Sequence, residues 1–506
     1  MHVENHLLMK EEQSDSYNHI LKYTGIFGGV QGLNILIGLV RNKIVAWLLG
    51  PGGMGLTALF NSTVNFISQA TNLGISFSAV RHVSELFDHG DQQQLEHFIK
   101  VVRGWSLLTA LLGMFVCILV GPLLSSYTFS WGDHTLHFVL LSPAVGLMAI
   151  TGGETAILKG ARRLKSLAVI QVFTVIAALV LSVPLYYFFG QSAIVPVIVL
   201  MALFAMLITI HYSYRLYPLR LRGARGILGQ GMEMVRLGVA FVLAGIFGSG
   251  AEMLVRSYLN VTADLDVVGL YNAGFMLTVT YAGMVFSAME TDYFPRLSAV
   301  GNDSRILSDT VNRQIEVSML IVSPMLATLI ITLPILIPLL FSSEFMPVVA
   351  MGQVAVFSMY LKAISLPISY LLLARGNSLA YLVIEGVDSL FLVLFMIWGY
   401  NQWGLLGTGI ALDLFYLLDL VIITLYTHFR YGYRLSLPVL QIIFIQLPLG
   451  LTVYALTFID NTLLYWVMGA LLCFVSLVVS LYILHQKTSL WSALVSKTKS
   501  KFSRHG

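Results

Sequence analysis

The sequence predicts an all-α polytopic membrane protein of about fourteen transmembrane helices, built as two six-helix bundles followed by two further helices. Three observations predict it. Of the 506 residues, 57% are hydrophobic and 11% charged, with a mean hydropathy of +0.82, against roughly 25% charged in a soluble domain. Fourteen runs reach about the 20 mostly apolar residues that a helix needs to cross a bilayer. Lysine and arginine, finally, keep to alternate connectors between the runs.

The elements follow in order. Residues 1–19 are polar, mixed in charge and without a cleavable signal pattern, and read as a cytoplasmic segment. Runs beginning near Ile20, Met54, Phe98, Leu136, Leu167 and Ala193 make an N-terminal bundle over 20–212. A basic linker occupies 213–232. Runs from near Met234, Val267, Ile315, Val348, Leu379 and Leu405 make a C-terminal bundle over 233–428. Two more, from Leu437 and Leu463, fill 436–485, and a basic cytoplasmic tail spans 486–506. In the first run, Gly28-x-x-x-Gly32 fits close helix packing. Pro324, Pro334, Pro338 and Pro367 are expected to kink their helices.

Connector charge sets the orientation. Odd-to-even connectors such as GPGG, GQSA and YNQWG contain no lysine or arginine. Even-to-odd connectors carry Arg81, Lys100 and Arg103, then Lys159, Arg162, Arg163 and Lys165, and so on to Arg430 and Arg434. Such cations stay on the cytoplasmic side. Both termini are therefore expected in the cytoplasm, with the chain multi-pass in a bacterial inner membrane. The outer loops are too short for an extracytoplasmic catalytic domain.

Several function classes fall away. No G-x-x-x-x-G-K-[ST] loop and no H-E-x-x-H spacing is present. Cys117 and Cys473 sit in apolar runs and indicate neither disulfide nor metal site. No catalytic residue, cofactor or nucleic-acid partner is expected, and the protein reads as a non-enzyme.

A weak internal repeat relates the halves. The tripeptide LVR ends at Arg41 and again at Arg256; Gly55-Leu56 follows the first by 14 residues and Gly269-Leu270 the second by 13. Arg81 then lies 26 residues after Gly55, and Arg296 lies 27 after Gly269. Six runs per half is an even number, so both halves enter the membrane the same way. Their pseudo-twofold axis should run along the membrane normal, a plan known in transporters.

Charges inside the runs are the informative residues, because each costs about 2.5–3.5 kcal/mol at a helix centre on insertion scales. Arg41 has no acid one turn away, and Lys43 lies about 200° round the helix from it. Arg256 has Glu252 four residues before it, so intrahelical pairing competes with a functional reading. Lys362 is near mid-run. A water-filled cavity between the halves, lined by Arg41, Arg256 and Lys362 with Arg81 and Arg296 at matching repeat positions, would attract an anion carrying phosphate, which arginine grips bidentately. A second constellation, Glu385 and Asp388, shares a helix face, with Thr408 and Asp413 on the next run. Carboxylates and hydroxyls hold Na⁺ or relay H⁺; the plainer reading is a set of buried, protonated or arginine-paired acids. Glu154 is another embedded acid. Glu290, Asp292 and Asp419 stand near run ends, where solvent reaches them.

The stretches LVRNKIVAWLLGPGGMGL, FPRLSAV and LLARGNSLAYLVIEGVDSLF resemble the O-antigen and lipid-linked oligosaccharide flippases of the multidrug/oligosaccharidyl-lipid/polysaccharide exporter superfamily. The resemblance implies two six-helix bundles opening alternately to either side. It implies translocation of an undecaprenyl-diphosphate-linked oligosaccharide, with Arg41 and Arg256 meeting the diphosphate. By position in related lipid II flippases, it places a sodium site at Glu252, Asp388 and Thr408. The expected partners are the lipid-linked oligosaccharide, membrane lipids and a polysaccharide polymerase. A multidrug exporter of the same superfamily is one alternative, and a membrane polysaccharide polymerase or ligase another, although the latter typically carries a large outer loop with arginines.

Overall fold

The computed structural model describes residues 2–128, 132–219, 231–300 and 303–487; for 2–31, 233–241, 287–292 and a few single positions it describes the backbone alone. The linker of 213–232 and the tail of 486–506 thus lie largely outside the described residues, as do the side chains of Arg236, Glu290 and Asp292.

Every long element is a helix: α1 His2–Thr71, α2 Ile75–His89, α3 Gln92–Thr128, α4 Thr135–Gly160, α5 Leu164–Phe189, α6 Ile194–Leu216, α7 Met232–Thr262, α8 Leu265–Phe275, α9 Ala282–Ala299, α10 Ser304–Leu340, α11 Val348–Ala355, α12 Phe357–Ala374, α13 Ser378–Tyr431, α14 Leu437–Ala455 and α15 Thr462–Lys487. The expected all-α polytopic class is borne out. Among the described residues, nine helical stretches are long and apolar enough to cross a membrane. Two of these stretches contain a turn and so join two of the expected runs. The α13 helix has 54 residues, about 80 Å at 1.5 Å per residue, against an apolar bilayer core of roughly 30 Å. It breaks at Trp403 and at Gly404, whose φ is 57°. There the chain folds back, because a Cβ on Gly407 would collide with the carbonyl of Gly399, eight residues earlier. The α1 helix breaks likewise at Gly50, φ 64°, with Pro51 behind it. The Tyr186 hydroxyl faces both Arg41 and Thr57, which a straight helix would hold about 24 Å apart. Between α8 and α9 the helix takes a π-helical turn at Met276–Tyr281.

The chain divides into two compact units, Met1–Ser249 and Gly250–Gly506. The division falls within α7, since Gly231 lies against Trp105 and Gly245 against Gln69, all in the first unit.

Each unit repeats the other's turns. Gly190 and Gly404 end their helices at the same φ 57° and ψ −137°. At the opposite end, Arg162 takes a left-handed φ of 54° and Gly376 one of 67°. Arg162 N–H bonds to Lys159 O and Arg163 N–H to Leu158 O; Gly376 N–H bonds to Leu373 O and Asn377 N–H to Leu372 O, the same i−3 and i−5 pattern.

Prolines act mainly through the carbonyls they release. The α10 helix runs on through Pro324, Pro334 and Pro338. Pro334 lacks the N–H that would serve Ile330, and the buried Gln353 amide donates to Ile330 O instead, at 3.1 Å. Pro143 likewise frees Val139 O, which takes the Ser142 hydroxyl at 2.8 Å. Of the expected Gly28-x-x-x-Gly32 packing, Gly28 lies outside the residues with described side chains, and nothing described lies within 4 Å of a Cβ placed at Gly32.

Candidate functional site

In the first unit, Arg41 stands nine residues before the Gly50 break, on the arm of α1 that packs against α5. Its Nε donates to Ser182 Oγ at 3.2 Å. Ser182 is fully buried and donates in turn to Ala178 O. The buried Tyr186 hydroxyl faces the same guanidinium. Among the described residues no carboxylate pairs with Arg41.

A cation that sequence reading assigns to a connector turns out to be buried. Arg103 lies eleven residues past the start of α3. Its Nε meets Glu154 Oε1 at 2.8 Å, with the two side chains 9% and 3% exposed. Ser213 donates to Glu154 Oε2 at 2.6 Å, and the guanidinium lies 4.2 Å from the Tyr214 ring centre. Every partner is satisfied, so this cluster ties α3, α4 and α6 together and offers nothing to a ligand. Arg81 is exposed and pairs with Glu85 one turn on, at 2.8 Å.

In the second unit, Arg256 Nη1 sits 2.9 Å from Glu252 Oε2, and its Nη2 reaches Asn272 Oδ1 at 3.4 Å. The pair is lopsided: the arginine side chain is 9% exposed and the glutamate 48%. Arg256 Nε is buried with no hydrogen-bond partner among the described residues. An anion reaching Arg256 must therefore displace Glu252. Arg296 is exposed and approaches Gln314 Oε1 at 3.4 Å.

The second unit also holds a cleft of about 260 Å³ lined by Lys362, Ser365, Tyr381, Glu385, Asp388, Tyr416 and Asp419 among others. Lys362 stands here with the acids, its Nζ 5.6 Å from the Tyr416 ring centre. Asp419, read from sequence as an end residue, is part of the cleft. The reason is the hairpin: Asp388 lies 16 residues before Gly404 and Asp419 lies 15 after it, so the turn sets them level. Both carboxyls line the same cleft. Asp388 Oδ1 is buried without a donor. Ser365 and Tyr381 line the cleft beside the acids. Three carboxyls face one ammonium, a formal deficit of two positive charges.

The remaining expected coupling residues are elsewhere. Thr408 is buried and spends its hydroxyl on Leu405 O. Asp413 lies in α13 away from the cleft lining, and its Oδ1 is buried with no hydrogen-bond partner among the described residues. Glu252 is with Arg256. Among the described residues no group of three or more His, Cys, Asp or Glu is placed to hold a metal ion.

A polytopic helical bundle with isolated charges set inside it is of the multi-pass membrane class, and comparison with known proteins agrees. The model of the polysaccharide biosynthesis protein family matches residues 44–350, and the chain belongs to that family. The lipid III flippases of Escherichia coli (strain K12) and Shigella flexneri are each 23% identical to it over 397 residues, 74% of this chain and 90% of theirs. The structure of the lipid II flippase MurJ in an inward closed conformation matches with a TM-score of 0.72 at 14% identity, covering 91% of this chain and 99% of that one. An inward-facing multidrug resistance MATE transporter of the MOP superfamily matches with a TM-score of 0.65 at 15% identity, covering 79% and 94%. The fold is that of the MOP superfamily. Its many apolar helices are those of a multi-pass membrane protein.

Proposed function

We propose that the protein is a flippase that carries an undecaprenyl-diphosphate-linked oligosaccharide, an O-antigen or similar repeat unit, from the cytoplasmic to the outer leaflet by alternating access. The observation that carries the reading is Arg41: a guanidinium set into an apolar helix, without a carboxylate among the described residues, its Nε held by Ser182 at 3.2 Å. Such a group is suited to a diphosphate, which it grips through two parallel N–H bonds. Kinship with lipid III flippases supports a lipid-linked cargo. In the second unit, Arg256 becomes available to an anion when Glu252 is displaced. The cleft of Lys362, Glu385, Asp388 and Asp419 takes up Na⁺ or H⁺ and couples transport to a gradient, its formal charge deficit supplying the attraction. Both termini face the cytoplasm, and the flipped cargo passes to a polysaccharide polymerase.

The test is reconstitution into liposomes with a fluorescent polyprenyl-diphosphate sugar, scoring its transfer between leaflets. The acidic cleft and the likeness to MATE transporters favour one other reading, export of organic cations. The same liposomes loaded with a cationic dye separate the two: dye efflux without lipid transfer selects the exporter.

A further inference from the structure

The first unit holds a hollow that the transport reading does not use. Its volume is about 310 Å³, and it lies among α2, α4 and α6. On α4 its wall includes Thr151, Thr155 and Lys159, spaced by four residues and so stacked on one helix face. Eight residues of helix set the first and last of them about 12 Å apart along the axis. Ser76 of α2 adds a third hydroxyl.

Small side chains make the space. A Cβ on Gly152 would come 2.5 Å from Ser76 Oγ, so this glycine admits the α2 hydroxyl against α4. From α6 only Ala202 and Ala205 line the hollow. The Asn72 amide donates to Ser76 Oγ at 2.9 Å, and Thr151 donates to Leu147 O at 2.7 Å. Among the described residues no hydrogen bond or ion pair engages the side chains of Thr155 or Lys159. Lys159 is exposed in the last turn of α4. On the orientation that the connector charges predict, this end of the hollow faces the cytoplasmic leaflet.

Charge decides what such a hollow takes. Its lining has one ammonium, three hydroxyls and no carboxylate. The cleft of the second unit is the reverse, with three carboxyls to one ammonium. A lysine in the last turn of a helix also complements the free carbonyls there, which accounts for the charge but not for the hydroxyl-lined space beside it. We propose that the hollow binds the phosphate of an anionic lipid headgroup. The Lys159 ammonium meets a phosphate oxygen, the Thr155 hydroxyl donates to another, and the headgroup alcohol lies toward Thr151 and Ser76. Basic pockets between transmembrane helices on the cytoplasmic side bind headgroups in this way. The site is separate from Arg41 and stands whatever the transported cargo is.

The experiment follows the unfolding temperature of the full-length protein in detergent during titration with dihexanoyl phosphatidylglycerol, dihexanoyl phosphatidylcholine or inorganic phosphate. In wild type the anionic lipid is expected to raise the temperature in proportion to the logarithm of concentration above saturation, with a half-saturating concentration several-fold below that of the zwitterionic lipid. Lys159→Gln, a change at an exposed position, is expected to erase that preference. Lys159→Arg is expected to keep it, because the charge survives, and Thr155→Val to weaken it. In Arg41→Ala the preference is expected to persist, so failure here and failure of the cargo reading are distinguishable. No preference in wild type, an undiminished one in Lys159→Gln, or its loss in Arg41→Ala overturns the proposal. A Lys159-dependent response to inorganic phosphate as strong as that to the lipid overturns the headgroup as its source.

Discussion

Arg103 Nε lies 2.8 Å from Glu154 Oε1 with both side chains nearly sealed from solvent, at 9% and 3% exposure. The first prediction rests on that pair. Removing one partner of a buried ion pair leaves the other charge uncompensated, at a cost of about 3–5 kcal/mol. Glu154→Ala is expected to lower the unfolding temperature in detergent and the yield sharply. Replacing both residues by leucine is expected to recover part of the loss, because the stranded charge is gone. Equal stability of Glu154→Ala and wild type would show that water reaches the site.

The Gly404 hairpin supplies the second. Gly399 and Gly407 bring their backbones together, and either Cβ would meet the other's carbonyl. Gly407→Ala is expected to cost several-fold in folded yield, since backbone rather than a side chain must give way. Gly283, with nothing described within 4 Å of its Cβ position, is the control, and Gly283→Ala is expected to express normally.

These turns also show what sequence alone can resolve. Long apolar runs made the helical class legible, because bilayer thickness dictates their length. Arg41 stood out as well, because an unpaired charge in an apolar run is conspicuous by its cost, and the structure sets its Nε against Ser182. Asp419 was not, since its role depends on its register across a hairpin; the signal available was its near-equal distance from Gly404, matching Asp388. Arg103 was misassigned for a similar reason. Its partners, Glu154 and Ser213, are 51 and 110 residues away, and no local pattern announces them. Lys362 was read as an anion ligand because its carboxylate neighbours lie on another helix.

The acid cleft leads to the third prediction. Asp388→Asn together with Asp419→Asn removes two of the three carboxyls facing Lys362. Cargo binding is expected to persist, while the initial flipping rate in liposomes loses its dependence on imposed Na⁺ or H⁺ gradients. A membrane potential supplies about 2.3 kcal/mol per charge per 100 mV, so coupling to one or two ions leaves a measurable response to lose. A double variant that responds to gradients as wild type does would make the cleft structural.

The fourth concerns Arg256 and Glu252. If Arg256 meets cargo, Arg256→Gln lowers flipping and the double variant Arg256→Gln with Glu252→Gln stays low. Displacement of Glu252 further predicts that Glu252→Gln alone raises apparent cargo affinity by a few-fold, read as a lower half-saturating cargo concentration. Recovery of flipping in the double variant would assign Arg256 to pairing alone.

The central claim, that Arg41 engages the diphosphate, is tested most directly by the initial rate of leaflet transfer of a fluorescent polyprenyl-diphosphate sugar in liposomes carrying Arg41→Ala. A hydrogen bond to a charged group is worth about 1.5–3 kcal/mol, and each 1.4 kcal/mol is about tenfold. The account predicts a rate reduced roughly 10- to 100-fold at equal protein incorporation, with Arg41→Lys intermediate because charge survives and the fork does not. Transfer by Arg41→Ala at the wild-type rate would contradict it.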